Sequence, residues 1–262
     1  MRYLEMKKRA FMSIVNSLKG FVRTVIGTPP ITLYDCVDEN SIINYTISGE
    51  NVGDYDEESG KYKIPVKISG KNLLKNNNTS KTVNGITFTA NADGSITING
   101  TNTGTGLAQY PLTPSATGAL SWLLPLDADV TYTLSCGNKP TGVGMQLTYK
   151  PAGTSLYMNA PRTFTATAST NSAVYIFVNK GVTVDNLTLY PQLEKSEMAT
   201  DFEPYVEPIT RNIYIDEPLG EGKILKNPAK LPTFKGTTIY EIDTNTKPSN
   251  MSVTYYSSVK GE

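Results

Sequence analysis

The sequence predicts a mainly β protein, and three observations support this prediction. Thr, Asn, Ser, Gly and Tyr are abundant, while only 39% of the residues are hydrophobic and 18% are charged. Such a composition is typical of exposed strands and tight turns. Many short segments alternate apolar and polar residues, which is the pattern of a strand with one buried face. Gly, Pro and Asn separate these segments, which favours antiparallel sheets joined by turns.

One segment near the amino terminus departs from this alternation. Apolar residues of segment 11–26 recur at helical spacing, and Gly27 followed by Pro29 and Pro30 predicts the end of a helix. Within this amphipathic α-helix, spacings of 4, 3, 4 and 3 form a coiled-coil stripe that predicts oligomerisation. The stripe consists of Phe11, Val15, Leu18, Val22 and Val25.

The same amino-terminal segment is basic. Residues 1–26 hold six Lys or Arg against one Glu, although the whole chain is neutral, with 24 basic and 24 acidic residues. Three roles stay open: the helix packs on its own domain, it self-associates or docks into a larger assembly, or it acts at a membrane surface or as a secretion signal. Neutrality overall predicts no nucleic-acid partner, and no apolar run reaches the roughly 20 residues of a membrane span.

The residue types required by much enzymology are missing. Histidine is absent, which removes the usual general base and the commonest metal ligand. Cys36 and Cys136 are a hundred positions apart and form no CxxC pair, so we expect free thiols in a protein assembled inside a cell. We expect no enzyme activity, no cofactor and no metal. A glycan depolymerase would need two close carboxylates, for which the candidates are Asp93, Asp127, Asp129, Asp185 and Glu194.

Strands are predicted from Ile31 onward, beginning with residues 42–47 and 62–68. Residues 53–60 between them form an acidic loop whose spacing matches no calcium-binding pattern, so a solvated charge run is the expected role. Residues 71–78 are polar and predict a linker. Residues 85–90 and 95–100 alternate around an Asp93-Gly94 turn, which predicts a hairpin.

Further alternating runs complete the pattern. They lie at residues 132–135, 145–149, 162–166, 174–178, 183–190, 212–216, 237–242 and 252–256. Eight or so short strands in the central region, separated by turn residues, predict a two-sheet β-sandwich of the jelly-roll type.

Specific motifs occur at both ends of this central region. They are GKNLL at residues 70–74, NGITFTANADGSITINGT at 84–101, VDNLTLYPQLEK at 184–195 and ATDFEPY at 199–205. Together they resemble a module of tail, baseplate and fibre proteins from phages and prophages of Gram-positive bacteria. LYDCVD at 33–38, INYTISG at 43–49, FKGTTIYEIDT at 234–244 and PSNMSVTYY at 248–256 resemble the segments that flank this module.

The resemblance implies a domain organisation and a role. Residues 71–206 would form a jelly-roll sandwich like a carbohydrate-binding module, inserted in a small β module of residues 28–70 and 207–262, with the helix of residues 1–27 outside the pattern. We expect a homotrimeric virion protein, assembled in the host cytoplasm, that contacts other virion proteins and attaches to host cell-wall polysaccharide. The alternative is an assembly or decoration component of the baseplate or head surface that binds no ligand.

Candidate ligand-binding residues follow from the chemistry of glycan recognition. Sandwiches that bind glycans present aromatic rings to sugar faces, while amide and acidic groups bind the hydroxyls. The aromatic candidates are Tyr110, Trp122, Tyr149, Tyr157 and Tyr175. Trp122, Tyr149 and Tyr157 are the residues we predict to bind ligand, with core packing as the alternative for Trp122. In some related sandwiches the position of Asp185 helps to hold calcium, but one carboxylate does not make a calcium site.

Overall fold

The chain divides into two compact units. The structure is a computed structural model that describes residues 21–27, 30–36, 43–49, 52–76, 79–112, 124–137, 139–150, 155–220, 223–226, 230–242 and 250–257. Unit 1 combines the segment up to Gly70 with the segment from Glu207 onward, and unit 2 is the segment Lys71–Val206. Unit 2 is therefore inserted between the two parts of unit 1.

The described residues form 21 β-strands and no helix, which confirms the prediction of a mainly β protein. All of the strand pairs among these residues are antiparallel. In chain order the strands are β1 (Phe21–Gly27), β2 (Ile31–Cys36), β3 (Ile43–Ser48), β4 (Asp54–Asp56), β5 (Lys61–Ser69), β6 (Lys81–Val83), β7 (Ile86–Ala90), β8 (Ile96–Thr101), β9 (Ala108–Pro111), β10 (Leu124–Leu126), β11 (Thr131–Ser135), β12 (Val143–Tyr149), β13 (Leu156–Asn159), β14 (Arg162–Thr165), β15 (Thr170–Val178), β16 (Thr183–Leu189), β17 (Gln192–Glu194), β18 (Ile209–Ile215), β19 (Ile224–Lys226), β20 (Gly236–Ile242) and β21 (Asn250–Ser257).

The predicted amino-terminal helix does not extend to residue 26, because β1 is a strand. All seven residues of β1 pair with β21. Four of the seven are β-branched, and such residues favour strands over helices. The prediction is therefore wrong for Val22 and Val25, which do not continue a helical stripe. The other stripe residues lie outside the described residues: Phe11, Val15 and Leu18.

Unit 1 contains two antiparallel sheets. Their strand orders are β1-β21-β3-β19 and β18-β5-β20-β2, and β4 pairs with the first part of β5. The second sheet buries alternate residues of β5, namely Ile64, Val66 and Ile68. Tyr240 of the neighbouring β20 is also buried, and its hydroxyl donates to the Pro232 carbonyl oxygen at 3.0 Å. The alternation at residues 62–68 thus predicted a real strand with one buried face.

Unit 2 is inserted where two neighbouring strands of unit 1 end and begin. β5 pairs with β18, and Ile68 lies opposite Ile209 in this pair. The chain therefore leaves unit 1 and returns to it at adjacent points. This connection requires the first and last residues of unit 2 to stay close together.

The described residues of unit 2 form three antiparallel sheets around one hydrophobic core. Their orders are β10-β15-β12-β13, with β9 also on β15, then β14-β11-β17, and finally β16-β8-β7-β6. The chain passes from β16 into β17 through Tyr190, whose N–H donates to the Cys136 carbonyl oxygen at 3.0 Å. A strand of the third sheet, β16, is therefore followed directly along the chain by a strand of the second sheet, β17. All three sheets contribute to the core, which includes Phe88, Tyr132 and Leu147.

The hairpin predicted around Asp93 is confirmed. β7 and β8 pair along their length, with Ala90 opposite Ile96 next to the turn. The Asp93 carboxylate accepts hydrogen bonds from the Ser95 hydroxyl at 2.6 Å and from the Ser95 N–H at 2.9 Å. These bonds lower the pKa of Asp93 below its usual value of 3.8. Gly94 adopts a φ of 85°, which glycine tolerates without strain.

A buried asparagine joins the start of unit 2 to its end. Asn72 donates through Nδ2 to the carbonyl oxygens of Pro191 at 3.2 Å and Glu203 at 2.9 Å. Its Oδ1 accepts from the N–H groups of Leu74 at 3.0 Å and Leu193 at 3.4 Å. The prediction that residues 71–78 form a polar linker is wrong for Asn72 and Leu74, because both are buried.

Two further buried side chains hold the returning segment. The Glu194 carboxylate accepts from the Thr200 N–H at 2.9 Å and from the Thr200 hydroxyl at 2.7 Å. Gln192 donates to Glu194 Oε1 at 2.9 Å, and its Oε1 accepts from the Glu203 N–H at 2.9 Å. We call Asn72, Gln192 and Glu194 the clasp. The clasp joins the motif at residues 70–74 to the motifs at 184–195 and 199–205, which lie more than a hundred positions later in the sequence.

Replacing Asn72 with alanine tests the clasp. Asn72→Ala leaves buried N–H and carbonyl groups without partners, so we expect the free energy of unfolding of unit 2 to fall by about 2–4 kcal/mol. Denaturant unfolding followed by circular dichroism measures this change. The matched control is Asn171→Ala, at an exposed position of β15, with an expected change within about 0.5 kcal/mol. Equal stability of the two variants would show that the clasp does not stabilise unit 2.

Candidate ligand-binding site

The three predicted ligand-binding residues fall in different environments. Tyr149 is 1% exposed, and its ring stacks on Phe164 with ring centroids 5.9 Å apart. Its predicted role is therefore corrected: the ring packs in the core, where a ligand at the surface does not reach it. Tyr157 is 61% exposed on β13. Trp122 lies outside the described residues.

The other two aromatic candidates, Tyr110 and Tyr175, also lie in different environments. Tyr110 belongs to the core, where its ring stacks on Phe88 and its hydroxyl donates to the Thr79 carbonyl oxygen at 3.0 Å. Burial raises the pKa of Tyr110 to about 12. Tyr175 is 5% exposed, but it alternates with core residues of β15 and so lies on the face turned away from the core. This is also the face of Tyr157.

Strand register places amide and aromatic side chains side by side on this outer face. β12 lies between β15 and β13, and Gln146 of β12 is opposite Tyr175 on one side and Asn159 on the other. In the next row Thr148 lies opposite Tyr157. We call the set formed by Tyr157, Tyr175, Phe177, Gln146 and Asn159 the amide–aromatic face.

A hydrogen-bonded chain crosses the three strands. The Tyr175 hydroxyl donates to Gln146 Oε1, and Gln146 Nε2 donates to Asn159 Oδ1 at 2.7 Å. Burial raises the pKa of Tyr175 above its usual value of 10.0, and interaction with Tyr157 adds to the rise. The Tyr175 hydroxyl therefore keeps its proton at neutral pH and remains a donor.

The rings of the amide–aromatic face are tilted rather than coplanar. The ring centroids of Tyr175 and Phe177 are 6.3 Å apart and the ring planes meet at 55°. Phe177 lies over Gly144, where an added Cβ would collide with its ring. Thr148 is buried, so the open part of the face is at β13, where Tyr157 and Asn159 are exposed.

The outer face of this sheet is uncharged. Its described positions on β9, β12, β13 and β15 follow from register. They are Gln109, Pro111, Gly144, Gln146, Thr148, Tyr157, Asn159, Asn171, Ala173, Tyr175 and Phe177. A face with aromatic rings and amides but no charged side chain fits a neutral polar ligand better than an ionic one.

Four of the five candidate carboxylates have partners elsewhere, and for Asp93 the partner is Ser95 of the hairpin turn. Asp127 pairs with Lys195 at 3.0 Å, and Glu194 belongs to the clasp. Asp185 accepts from Asn186 Nδ2 at 2.9 Å. In the acidic loop, Ser59 and Lys63 donate to Asp56 and lower its pKa. The part of the chain that the structure describes places no three Cys, Asp or Glu side chains together as a metal site.

Both cysteines are buried, and they form no disulfide with each other, as predicted. Burial raises the pKa of the Cys136 thiol to about 11. A thiol with a raised pKa is a poor nucleophile at neutral pH. Over the described ranges, no helix is both long and apolar enough to span a membrane.

No protein-family model and no curated protein matches this chain. The chain is similar to solved structures of infectious bursal disease virus. The Gx strain structure is 9% identical, with 91% of this chain and 80% of that chain covered and a TM-score of 0.15. The Gt strain structure, also 9% identical, covers 91% and 81% with a TM-score of 0.14. The structure of the T=1 particles derived from this virus is 10% identical, covers 91% and 78%, and has a TM-score of 0.13. Likenesses at this level carry no argument about fold or function.

Substituting the two tyrosines that flank residues 150–154 tests their different placement. Tyr149→Ala removes a buried ring, so we expect the free energy of unfolding to fall by about 3–5 kcal/mol. Tyr157→Ala removes an exposed ring, so we expect a fall of less than about 1 kcal/mol. Denaturant unfolding of both variants gives the comparison. A larger loss for Tyr157→Ala than for Tyr149→Ala would contradict the register of β12 and β13.

Proposed function

We propose that this protein is a structural component of a phage virion, in the tail, baseplate or fibre, that attaches to a host-surface glycan through unit 2. The observation that carries the proposal is the exposed Tyr157 ring beside the exposed Asn159 amide on an uncharged sheet face. Support also comes from the motifs that resemble phage tail proteins, because the clasp is built from them. In this proposal unit 2 has the jelly-roll fold of a carbohydrate-binding module.

The amide–aromatic face would bind a glycan through two kinds of contact. The Tyr157 ring would pack against the apolar face of a pyranose, and the exposed amide of Asn159 would hydrogen-bond to polar groups of the sugar. A shallow site of this kind binds weakly. Many copies on one particle compensate, because the second and later contacts form at high effective concentration.

The amino-terminal segment would anchor the protein in the virion. Five basic residues precede Phe21, and the coiled-coil stripe retains three positions in that segment. We propose that Phe11, Val15 and Leu18 hold a homotrimer together, because apolar residues at this spacing pack between helices. Other virion proteins are the proposed partners of this segment, and the virion assembled in the host cytoplasm is the proposed location.

A second candidate function is an assembly or decoration component of the virion that binds no glycan. The tilt of 55° between the Tyr175 and Phe177 rings favours it, since a sugar-stacking platform is flatter. The burial of Tyr175 favours it as well, because Tyr157 is then the main exposed ring of the amide–aromatic face.

Binding to host cell-wall polysaccharide distinguishes the two candidates. We expect the full chain to bind immobilised polysaccharide saturably and Tyr157→Ala to weaken binding about fivefold to tenfold, because it removes a stacking contact worth about 1 to 1.4 kcal/mol. The matched control is Tyr55→Ala in unit 1, whose ring is 59% exposed and which should bind like the unmodified protein. No binding by the unmodified protein would favour the assembly component. Equal loss in both variants would show that the glycan does not bind at the amide–aromatic face.

Light-scattering mass tests the proposed trimer. We expect a particle of about three times 28.5 kDa that dissociates in Leu18→Asp, because a carboxylate within the stripe is costly to bury. The neighbouring Ser17→Asp adds the same charge outside the stripe and should leave the trimer intact. A monomer in all three proteins would rule out this mode of self-association.

A further inference from the structure

We infer that the amide–aromatic face selects a neutral N-acetylated glycan, with the Asn159 Nδ2 group donating to the acetamido carbonyl oxygen of the sugar. This inference names the ligand class of the proposed attachment site and therefore rests on the proposed function. It depends on the direction of the hydrogen bonds that cross β15, β12 and β13.

The hydrogen-bonded chain orients each amide in turn. Tyr175 donates to Gln146 Oε1, which leaves the Nε2 group of Gln146 as the donor toward β13. That group donates to Asn159 Oδ1 at 2.7 Å. The carbonyl side of Asn159 is thereby engaged within the sheet, and its Nδ2 group, with two N–H donors, is the part left for a ligand.

The position of Asn159 suits one sugar residue bound on Tyr157. The two side chains are two residues apart on β13 and so share one face, separated by about 7 Å along the strand. A hexosamine ring stacked on Tyr157 would place its C2 substituent next to the side chain of Asn159. An acetamido group offers a carbonyl oxygen, which accepts hydrogen bonds and matches the N–H groups of Asn159.

Two properties of the amide–aromatic face disfavour sugars with a C2 hydroxyl and anionic polymers. A hydroxyl at C2 is both donor and acceptor. It can accept from Asn159 Nδ2, but its own proton then bonds to water, because the Nδ2 group offers no acceptor. A phosphodiester or carboxylate polymer would gain from a cation, and the described positions of this face carry none. A neutral N-acetylated sugar is the class that fits both properties.

A pair of matched trisaccharides tests the inference on the full chain. N-acetylchitotriose and cellotriose share a β-1,4 backbone and differ at C2, where one has acetamido groups and the other has hydroxyls. We expect calorimetry or NMR titration to give about threefold to tenfold tighter binding of N-acetylchitotriose, the effect of one hydrogen bond. Asn159→Ala should bring the two affinities to within about twofold of each other.

A second variant reverses the direction of the hydrogen bond between residue 146 and Asn159. In Gln146→Glu the new carboxylate only accepts hydrogen bonds, so Asn159 must turn its Nδ2 group toward it and present Oδ1 to the ligand. We expect the preference for N-acetylchitotriose to disappear in this variant while its unfolding transition shows an intact fold. A preference that persists in both Asn159→Ala and Gln146→Glu would overturn the inference.

The remaining outcomes separate the inference from the proposed function. Equal affinity of the unmodified protein for both trisaccharides would overturn the inference and leave glycan attachment in place. Binding of neither trisaccharide would also overturn it, and the host-polysaccharide assay then decides independently whether the protein attaches to glycans at all.

Discussion

The hydrogen bonds of Asn72 connect residues that are 119 and 131 positions away in the sequence, and the closure of unit 2 depends on this connection. β5 and β18 pair at Ile68 and Ile209, so the chain that joins them must return to its starting point. Burying an amide is costly unless its donors and acceptors are satisfied. Asn72 meets that condition with backbone groups from both ends of unit 2. Its side chain is therefore buried with all of these partners only when the two ends of unit 2 have come together.

Within unit 2, strand register decides which side chains are available for function. Tyr149 and Tyr157 flank the same short segment, yet β12 directs Tyr149 into the core while β13 directs Tyr157 outward. Successive side chains of a strand point to opposite faces, so a shift of one residue would exchange these positions. The proposed binding site is therefore a consequence of how β12 and β13 pair, and the core packing of Tyr149 helps to fix that pairing.

Much of the fold is predictable from sequence because alternation and turn chemistry are local properties. The alternating runs became strands, and the Asp93-Gly94 turn became a hairpin. The helical spacing was misleading for residues 21–26, since there it competes with a run of β-branched residues whose partner strand, β21, is more than two hundred residues away. Spacing along the chain does not report such a partner.

The candidate site was less predictable than the strands, for identifiable reasons. Tyr149 shares the parity of Met145 and Leu147 in its alternating run, and this signal already indicated a core position. Gln146 and Asn159 carry no such signal, because amides are common throughout this chain and the strand β13 is too short to stand out. Their role depends on two cross-strand pairings, which local pattern does not reveal.

The double connection between the units also has a mechanical consequence. Under the proposed function, a virion that moves relative to its host would pull on unit 2, and both connections would transmit that force into unit 1. Because the clasp holds the two connections together, β5 and β18 would carry the tension together. If the clasp opened, the two strands would be drawn apart one hydrogen bond at a time, which requires far less force. The buried amide of Asn72 would then set the tension that the attachment withstands.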